Sequence, residues 1–259
     1  MTWVPFSRKT FIEKALKRKP SFAFASNQIL VPIMIQELRY VTGIMPLLFG
    51  ANEQDIEMFG VMGLKNGPNA FVDADGNWLH GHIPFWLRLY PFALGESDKG
   101  DSPLFINDGS DRVVARNDGD PFFNEDGTNG PVLEHFIHTL RAAKQFRENT
   151  RDACSLIKDF GLLEPFEDGR YQLDGKNLKI NGLFSVRETV FRELEENKYL
   201  ELKNKNAIDL IYAQLFSQDK FDFLFHFFNM QQRKMSPMRK IGEDIFSETE
   251  SALDFKFAE

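Results

Sequence analysis

The stretch FVDADGNW places oxygen-bearing side chains at every second position, which makes it the first candidate for chemistry in the chain. Calcium loops of the EF-hand type use such oxygens at positions 1, 3 and 5, with Gly at position 6 and Glu at position 12. Counted from Asp73, position 6 is Trp78 and position 12 is Pro84. The residues that would turn the loop and complete the coordination are missing, so we expect no metal here.

A tight turn explains the same residues better. Asp-Gly is favoured at the centre of a β-hairpin because Gly adopts the positive φ angle that such turns require. With Asp75 and Gly76 as the two turn residues, Asp73 would face Trp78 across the hairpin. The sequence thus predicts a structural turn at Asp73, Asp75 and Gly76, followed by a helix that starts near Pro84.

Four histidines form two pairs whose spacing suits metal binding. His80 and His82 would share one face of a strand, whereas His135 and His138 would share one face of a helix. The pairs supply four ligands only if the fold brings them together, and the HExxH order of zinc hydrolases is absent. We predict no metal site, and we expect His226, in a Phe-rich run, to be a core or interface residue.

Motifs for covalent and phosphate chemistry are missing from the sequence. The single cysteine, Cys154, falls on the apolar side of a helical pattern, which indicates a buried and unreactive thiol. No GxSxG elbow or GxGxxG loop is present, and GRYQLDGKN at 169–177 lacks the spacing and the Ser or Thr of a phosphate loop. We therefore assign no catalytic residue and predict no cofactor.

Composition narrows the classes of partner. The chain of 259 residues has a formal net charge of −7, which disfavours binding to nucleic acid. Its 27 phenylalanines indicate an aromatic core, or a groove for an apolar ligand or a protein partner. The N-terminal residues contain no apolar signal segment, and the apolar run at 29–35 is too short to cross a bilayer. We expect a cytoplasmic protein without an integral membrane segment.

The elements that would position these residues follow from hydrophobic periodicity. We predict a helix at 7–19, strands at 44–49 and 56–64, a loop-rich region with Asp-Gly turns at 95–130, a long helix at 131–160, a strand pair within 170–184, and helices from 186 to about 234. The fold class is α+β, as a single domain with a mainly antiparallel sheet, a long helix and a helical C-terminal part. The core would cover about 20–234, followed by a flexible acidic tail at about 235–259.

The block from 78 to 92 is predicted to form the centre of the fold and to carry the binding surface. Trp78, Trp86, Arg88 and Tyr90 are the candidate contact residues for a ligand or partner, because aromatic rings and arginine dominate such surfaces. We also expect a carboxylate to hold Arg88, because buried charges are usually paired.

The order of these pieces resembles the SapC family of bacterial proteins. The matching stretches are NAFVDADGNW (69–78), IPFWLRLYPF (83–92), PLF (103–105), GLLEPF (161–166) and LIYAQLFS (210–217). They extend over roughly residues 20–220, although His82 stands where a tyrosine is expected and Leu89 where a second arginine is usual. The resemblance is not to the peptide-transporter permease of the same name, which needs membrane spans.

The resemblance implies a cellular role but no particular reaction. The family name implies association with the bacterial surface layer. Family members also tend to be encoded beside outer-membrane receptors and flavin-dependent halogenase-like proteins, so the resemblance further implies an accessory role in uptake. Our first hypothesis is a non-enzymatic protein of the surface layer or its assembly, with a protein partner and a non-standard export route. The alternatives are a soluble cytoplasmic accessory or binding protein linked to nutrient uptake, and an enzyme of unrecognised type that uses Asp73, Arg88 and the histidines.

Overall fold

A computed structural model describes residues 2–51, 55–64, 67–95, 102–173 and 176–230. The strands, numbered along the chain, are β1 (Trp3–Pro5), β2 (Lys14–Leu16), β3 (Leu30–Pro32), β4 (Leu47–Ala51), β5 (Ile56–Val61), β6 (Phe92–Leu94), β7 (Leu104–Asn107), β8 (Val113–Ala115), β9 (Asp120–Pro121), β10 (Leu163–Leu173) and β11 (Lys176–Val186). The α-helices are α1 (Arg8–Phe11), α2 (Leu38–Val41), α3 (Phe85–Leu89), α4 (Pro131–Asp159), α5 (Glu188–Arg192), α6 (Glu196–Asn204), α7 (Ala207–Phe216) and α8 (221–230).

These elements confirm the α+β class, with a long helix and a helical C-terminal part. Within the described ranges the strands form three antiparallel sheets, in the orders β1-β7-β6, β8-β2-β9 and β10-β11-β4-β5-β3. The chain divides into a first unit of Met1–Ser26 with Phe71–Glu148 and a second unit of Asn27–Ala70 with Asn149–Glu259. The single domain expected over residues 1–259 stays a prediction.

The first unit contains the two three-stranded sheets and a core rich in phenylalanine. The ring of Phe6 stacks on Phe11 and Phe123 at centroid distances of 5.1 and 5.7 Å, and it meets Phe92 and Phe122 edge-on. Phe has no polar group that would need a hydrogen-bond partner, so rings can pack together without water. The buried residues of this core are Phe11, Leu16, Leu89, Phe92, Ile106, Phe122, Phe123, Leu133, Phe136, Leu140 and Ala143.

The long helix α4 forms because its apolar residues recur at three-to-four spacing. In the first unit this stripe buries Leu133, Phe136, Leu140 and Ala143. Pro131 begins the helix, where a missing N–H does no harm, and the helix ends at Asp159, one residue before the predicted end. The residues from 149 onwards belong to the second unit.

The second unit is organised around the five-stranded sheet. β4 pairs with both β5 and β11, and its residues Leu47, Leu48 and Phe49 are fully buried. Two buried polar side chains attach α7 to this sheet. Ser217 Oγ accepts from the backbone N–H of Leu47 at 2.9 Å, and Gln214 Oε1 accepts from that of Val186 at 3.1 Å.

The prediction of one helix at 7–19 is wrong. Ser7 caps α1, but the helix ends at Phe11, and Lys14–Leu16 forms β2 between β8 and β9. Lys14, Ala15 and Leu16 pair with Ala115, Val114 and Val113. Pairing with strands about 100 residues away thus overrides a local pattern that also suits a helix.

Other boundaries shift without changing the type of element. The strand pair predicted within 170–184 is longer, because β10 and β11 pair from Leu163 to Val186 around two irregularities in register. Part of the predicted loop-rich region forms β7, β8 and β9, whereas residues 96–101 and the acidic tail at 235–259 lie outside the described residues. Of the Asp-Gly glycines, Gly76 and Gly127 have positive φ, but Gly119 is extended at φ −158°.

Candidate functional site

A cleft opens in the first unit between α3 and α4. It contains about 330 Å³ of empty space, counted out to its solvent-open mouth. Its lining residues are Phe85, Arg88 and Leu89 from α3, and His135, Phe136 and Thr139 from α4. Three of these side chains are apolar, and Arg88 carries a positive charge, so the cleft combines an apolar lining with a cationic group.

Arg88 lies at this cleft and is exposed to solvent. Its Cζ atom is 4.7 Å from the centre of the Phe85 ring, which is a cation–π contact. Within the described ranges no carboxylate forms an ion pair with Arg88, so the predicted carboxylate partner is wrong. The physical reason is that the short helix α3 buries Leu87 and Leu89, which directs Arg88 outward.

Trp86 lies on α3 as well, but it contacts a different part of α4. The guanidinium carbon of Arg147 is 5.3 Å from the Trp86 ring centre, and Phe85 meets Phe146 edge-on. Trp86 is half-buried and packs against the Phe-rich core. A ligand that reached Trp86 would therefore meet an arginine already positioned over the ring.

Trp78 and Tyr90, the other two candidate contact residues, are packed within the first unit. The Trp78 indole N–H donates to the backbone oxygen of His82 at 2.9 Å, and its ring stacks on Phe71. Tyr90 is 8% exposed and stacks on Phe24 with 3.8 Å between ring centres. The binding roles proposed for Trp78, Trp86, Arg88 and Tyr90 stay predictions, but only Arg88 lines the cleft.

In the Asp73 turn, three residues (74–76) lie between the hydrogen-bonded residues Asp73 and Asn77, whereas the predicted turn had two. Val72 pairs with Trp78, and Asp73 N–H donates to the Asn77 oxygen, so the predicted facing of Asp73 and Trp78 is off by one residue. Gly76, at φ 77°, takes the left-handed position of this longer loop, which explains the shift.

The side chain of Asp73 holds this turn together. Its carboxylate accepts hydrogen bonds from the side chain of Asn77 and from the backbone N–H groups of Asn77 and Asp75. These bonds stabilise the ionised form, the side-chain bond from Asn77 most, and lower the pKa of Asp73 from its ordinary value. The carboxylate therefore acts as a turn residue.

The histidines do not come together as a ligand set. Over the described residues no three His, Cys, Asp or Glu side chains lie close enough to share a metal ion. His80 packs against the Phe71 ring, and burial lowers its pKa, whereas His135 and His138 are exposed on α4. The expected core position of His226 is wrong, because that residue is exposed on α8.

Cys154 is buried in the second unit, as its place on the apolar side of α4 predicted. Burial raises the pKa of its thiol, and the nearby carboxylate of Glu57 raises it further. The nucleophilic thiolate form is therefore disfavoured at neutral pH.

An exposed group of rings, here termed the aromatic patch, lies on the C-terminal helices of the second unit. It consists of Phe191, Tyr199, Tyr212 and Phe216. Phe191 is buried and contacts both tyrosines, and Tyr212 stacks on Phe216 with 5.5 Å between ring centres. Phe216 is 67% exposed, which is unusual for a large apolar side chain.

Across the described residues, no helix combines the length and the apolar character that a membrane span requires.

The model of the SapC family matches residues 6–224. The chain belongs to the SapC family. The match includes α3, the whole of α4 with the cleft between them, and the aromatic patch of this SapC protein. No curated protein and no solved structure matches the chain.

Sequence reasoning found Arg88 but missed the residues that surround it and the aromatic patch. The stretch LIYAQLFS, which carries part of the family resemblance, contains both Tyr212 and Phe216. Residues four apart share one face of a helix, so the pair could have been placed together on α7. The stretch is apolar nearly all round, however, and its sequence does not show which side faces the sheet.

Proposed function

We propose that this SapC-family protein is a non-enzymatic binding protein associated with the bacterial surface layer or its assembly, and that the aromatic patch holds its protein partner. Membership of the family supports the surface-layer role. The observation that carries the proposal of a protein partner is the exposure of Phe216, stacked on Tyr212 at the surface of α7.

The buried side of α7 already explains how the helix is held in place. Leu210, Ile211 and Gln214 are buried, and Ser217 anchors the end of the helix to β4. Tyr212 and Phe216 contribute to none of these contacts, and their rings remain accessible to water. Burying an apolar side chain of this size against a partner yields about 1.5–3 kcal/mol, which makes the patch suitable as an anchor for a protein.

The border of the patch favours an apolar partner surface over a charged one. Arg192 lies near Tyr212, but its guanidinium is paired with Glu188 at 2.5 Å. This ion pair leaves no net charge at that side of the patch. We therefore expect the partner to present aromatic or aliphatic side chains, as the central parts of protein interfaces do.

Cell fractionation of the native bacterium tests both parts of the proposal. We expect the wild-type protein in the cell-surface fraction, and we expect the double variant Tyr212→Ser/Phe216→Ser to be released from it. Tyr40→Ser is the matched control, since Tyr40 is 46% exposed in the same unit but lies outside the patch. Recovery of the wild type from the cytoplasmic fraction alone would contradict the surface-layer role.

The patch could instead be covered by a second copy of the chain or by the chain's own segment 231–259, and each alternative has its own test. Sedimentation of the purified chain at increasing concentration detects a second copy, and truncation after 230 detects the chain's own segment 231–259. Self-association that the double variant abolishes, or rings that become accessible only after truncation, would contradict the proposal of a separate partner. Tyrosine nitration followed by mass spectrometry measures that accessibility at Tyr212.

The cleft favours a second candidate function, a soluble cytoplasmic accessory or binding protein linked to nutrient uptake. A site with an apolar lining and few polar groups suits a small ligand. Under this function the protein stays in the cytoplasmic fraction and the patch variant does not change its location, so the same fractionation separates the two candidates.

A further inference from the structure

We infer that the cleft between α3 and α4 is a second binding site, which takes a carboxylate group carried on an apolar or aromatic body. This site lies in the first unit and is independent of the aromatic patch in the second. Its ligand would be an organic acid or the C-terminal carboxylate of a polypeptide, which share this chemistry.

The apolar body of the ligand is matched by the lining. Phe85, Leu89 and Phe136 line the cleft, and Leu89 and Phe136 are buried members of the first unit's core. A ligand ring would therefore contact side chains that the core holds in place, so little side-chain freedom is lost on binding. The space of about 330 Å³ includes the solvent-open mouth, so the cleft itself has room only for a small acid or a single terminal residue.

The carboxylate is matched by Arg88. Its guanidinium carbon lies over the Phe85 ring, and a cation–π contact of this kind consumes none of the five N–H donors of the guanidinium. Such an edge binds a carboxylate through two parallel hydrogen bonds, which are stronger than bonds between neutral groups. No carboxylate in the described part of the chain pairs with Arg88, so an incoming acid has no intramolecular competitor among these residues.

Two α4 residues complete the polar side of the cleft. The hydroxyl group of Thr139 donates to the backbone oxygen of His135 at 2.6 Å, which fixes its orientation. His135 is exposed at the lining and offers a ring N–H as a second donor. Arg88 and His135 come from different helices, so a carboxylate would bridge α3 and α4 at the cleft.

Titrations of the full chain with phenylacetate and with phenylacetamide, followed by NMR, test the inference. The amide has the same ring and shape without the charge. We expect phenylacetate to bind at least tenfold more tightly, and we expect Arg88→Gln to remove that preference. Arg88→Lys keeps the charge but loses the paired hydrogen bonds, so its preference for phenylacetate should lie between those of the wild type and Arg88→Gln. Equal binding of acid and amide to the wild type would overturn the inference.

A control variant and further probes sharpen the result. Arg18→Gln removes another exposed arginine of the first unit and should leave binding unchanged. N-acetylphenylalanine mimics a polypeptide C-terminus, so tighter binding of this probe identifies a polypeptide, whereas tighter binding of phenylacetate identifies a free acid. Acetate that binds as well as either probe would overturn the role of the apolar lining. The Tyr212→Ser/Phe216→Ser variant should bind both probes normally.

Discussion

The cleft of the first unit and the aromatic patch of the second both expose rings, but they differ in what accompanies those rings. In the cleft, Arg88 lies over Phe85, with His135 on the facing helix. On the patch, Tyr212 stacks on Phe216, and the neighbouring Arg192 is neutralised by Glu188. We infer that a positive charge next to a ring suits a small anionic ligand, whereas rings whose neighbouring arginine is already paired suit the apolar surface of a protein.

The two regions share one feature, which is that an exposed residue directly precedes a buried anchor. Arg88 is followed by Leu89, which is 2% exposed in the core of the first unit. Phe216 is followed by Ser217, which is fully buried and bonded to β4. We infer that in each region binding depends on the exposed residue and stability on the buried residue that follows it. Substitutions at the two positions can therefore separate binding from stability.

The largest expected effect tests this separation at the cleft. Leu89→Ala removes a buried side chain and should lower the free energy of unfolding by about 2–5 kcal/mol. Arg88→Ala should lower it by about 1 kcal/mol or less, because it removes one exposed cation–π contact. Urea denaturation measures both changes. If both variants lost similar amounts of unfolding free energy, Arg88 would be a structural residue, and the proposed contrast between the cleft and the patch would be wrong.

The next effect tests the same separation at the patch. Ser217→Ala leaves the buried N–H of Leu47 without its partner and should lower the free energy of unfolding by about 1–3 kcal/mol. Phe216→Ser should change it by about 0.5 kcal/mol or less, since the ring is largely exposed. The measurement is again urea denaturation, with Tyr40→Ser as the control at an exposed ring. A strongly destabilised Phe216→Ser protein would mean that the patch is part of the core.

The smallest effect concerns the turn that precedes α3. Because hydrogen bonds lower the pKa of Asp73 below its ordinary value of 3.8, the ionised carboxylate stabilises the fold above that pH. This stabilisation is lost as the pH falls through the lowered pKa of the folded state. Asp73→Ala should therefore be less stable than the wild type at neutral pH, with a difference that shrinks in acid below about pH 4.

Thermal unfolding of the wild type and Asp73→Ala between neutral and acidic pH measures that difference. Asp75→Ala is the control, because Asp75 contributes its backbone N–H rather than its side chain to the turn. A difference that persists unchanged in acid would show that the charge of Asp73 does not hold the turn.

Local patterns in the sequence predicted the elements whose structure depends on local periodicity. α4 was predicted almost to its last residue because apolar residues three to four apart need one buried stripe. β2 was mistaken for part of a helix because its conformation depends on pairing with β8 and β9, which a local window does not contain. The register of the Asp73 turn was missed because two-residue and three-residue loops share the same Asp-Gly signal.

The sites were predictable only in part for the same reason. Arg88 was identified by its residue type, but its exposure depends on which side of α3 packs against the core. The other polar residues that line the cleft, His135 and Thr139, come from α4, more than forty residues further along the chain. The exposure of Phe216 could not be predicted because its stretch is apolar nearly all round. The side of α7 that faces the sheet carries Gln214 and Ser217, whose hydrogen bonds to the sheet form only in the folded protein.

Site-specific crosslinking in living cells tests the central claim most directly. A photoreactive phenylalanine is placed at position 216 within the aromatic patch and, as a control, at position 40, which lies outside it. The account predicts that position 216 crosslinks to a protein of the surface layer, that Tyr212→Ser weakens this crosslink, and that position 40 gives none. Crosslinks from both positions alike, or crosslinks from position 216 only to another copy of the chain, would contradict it.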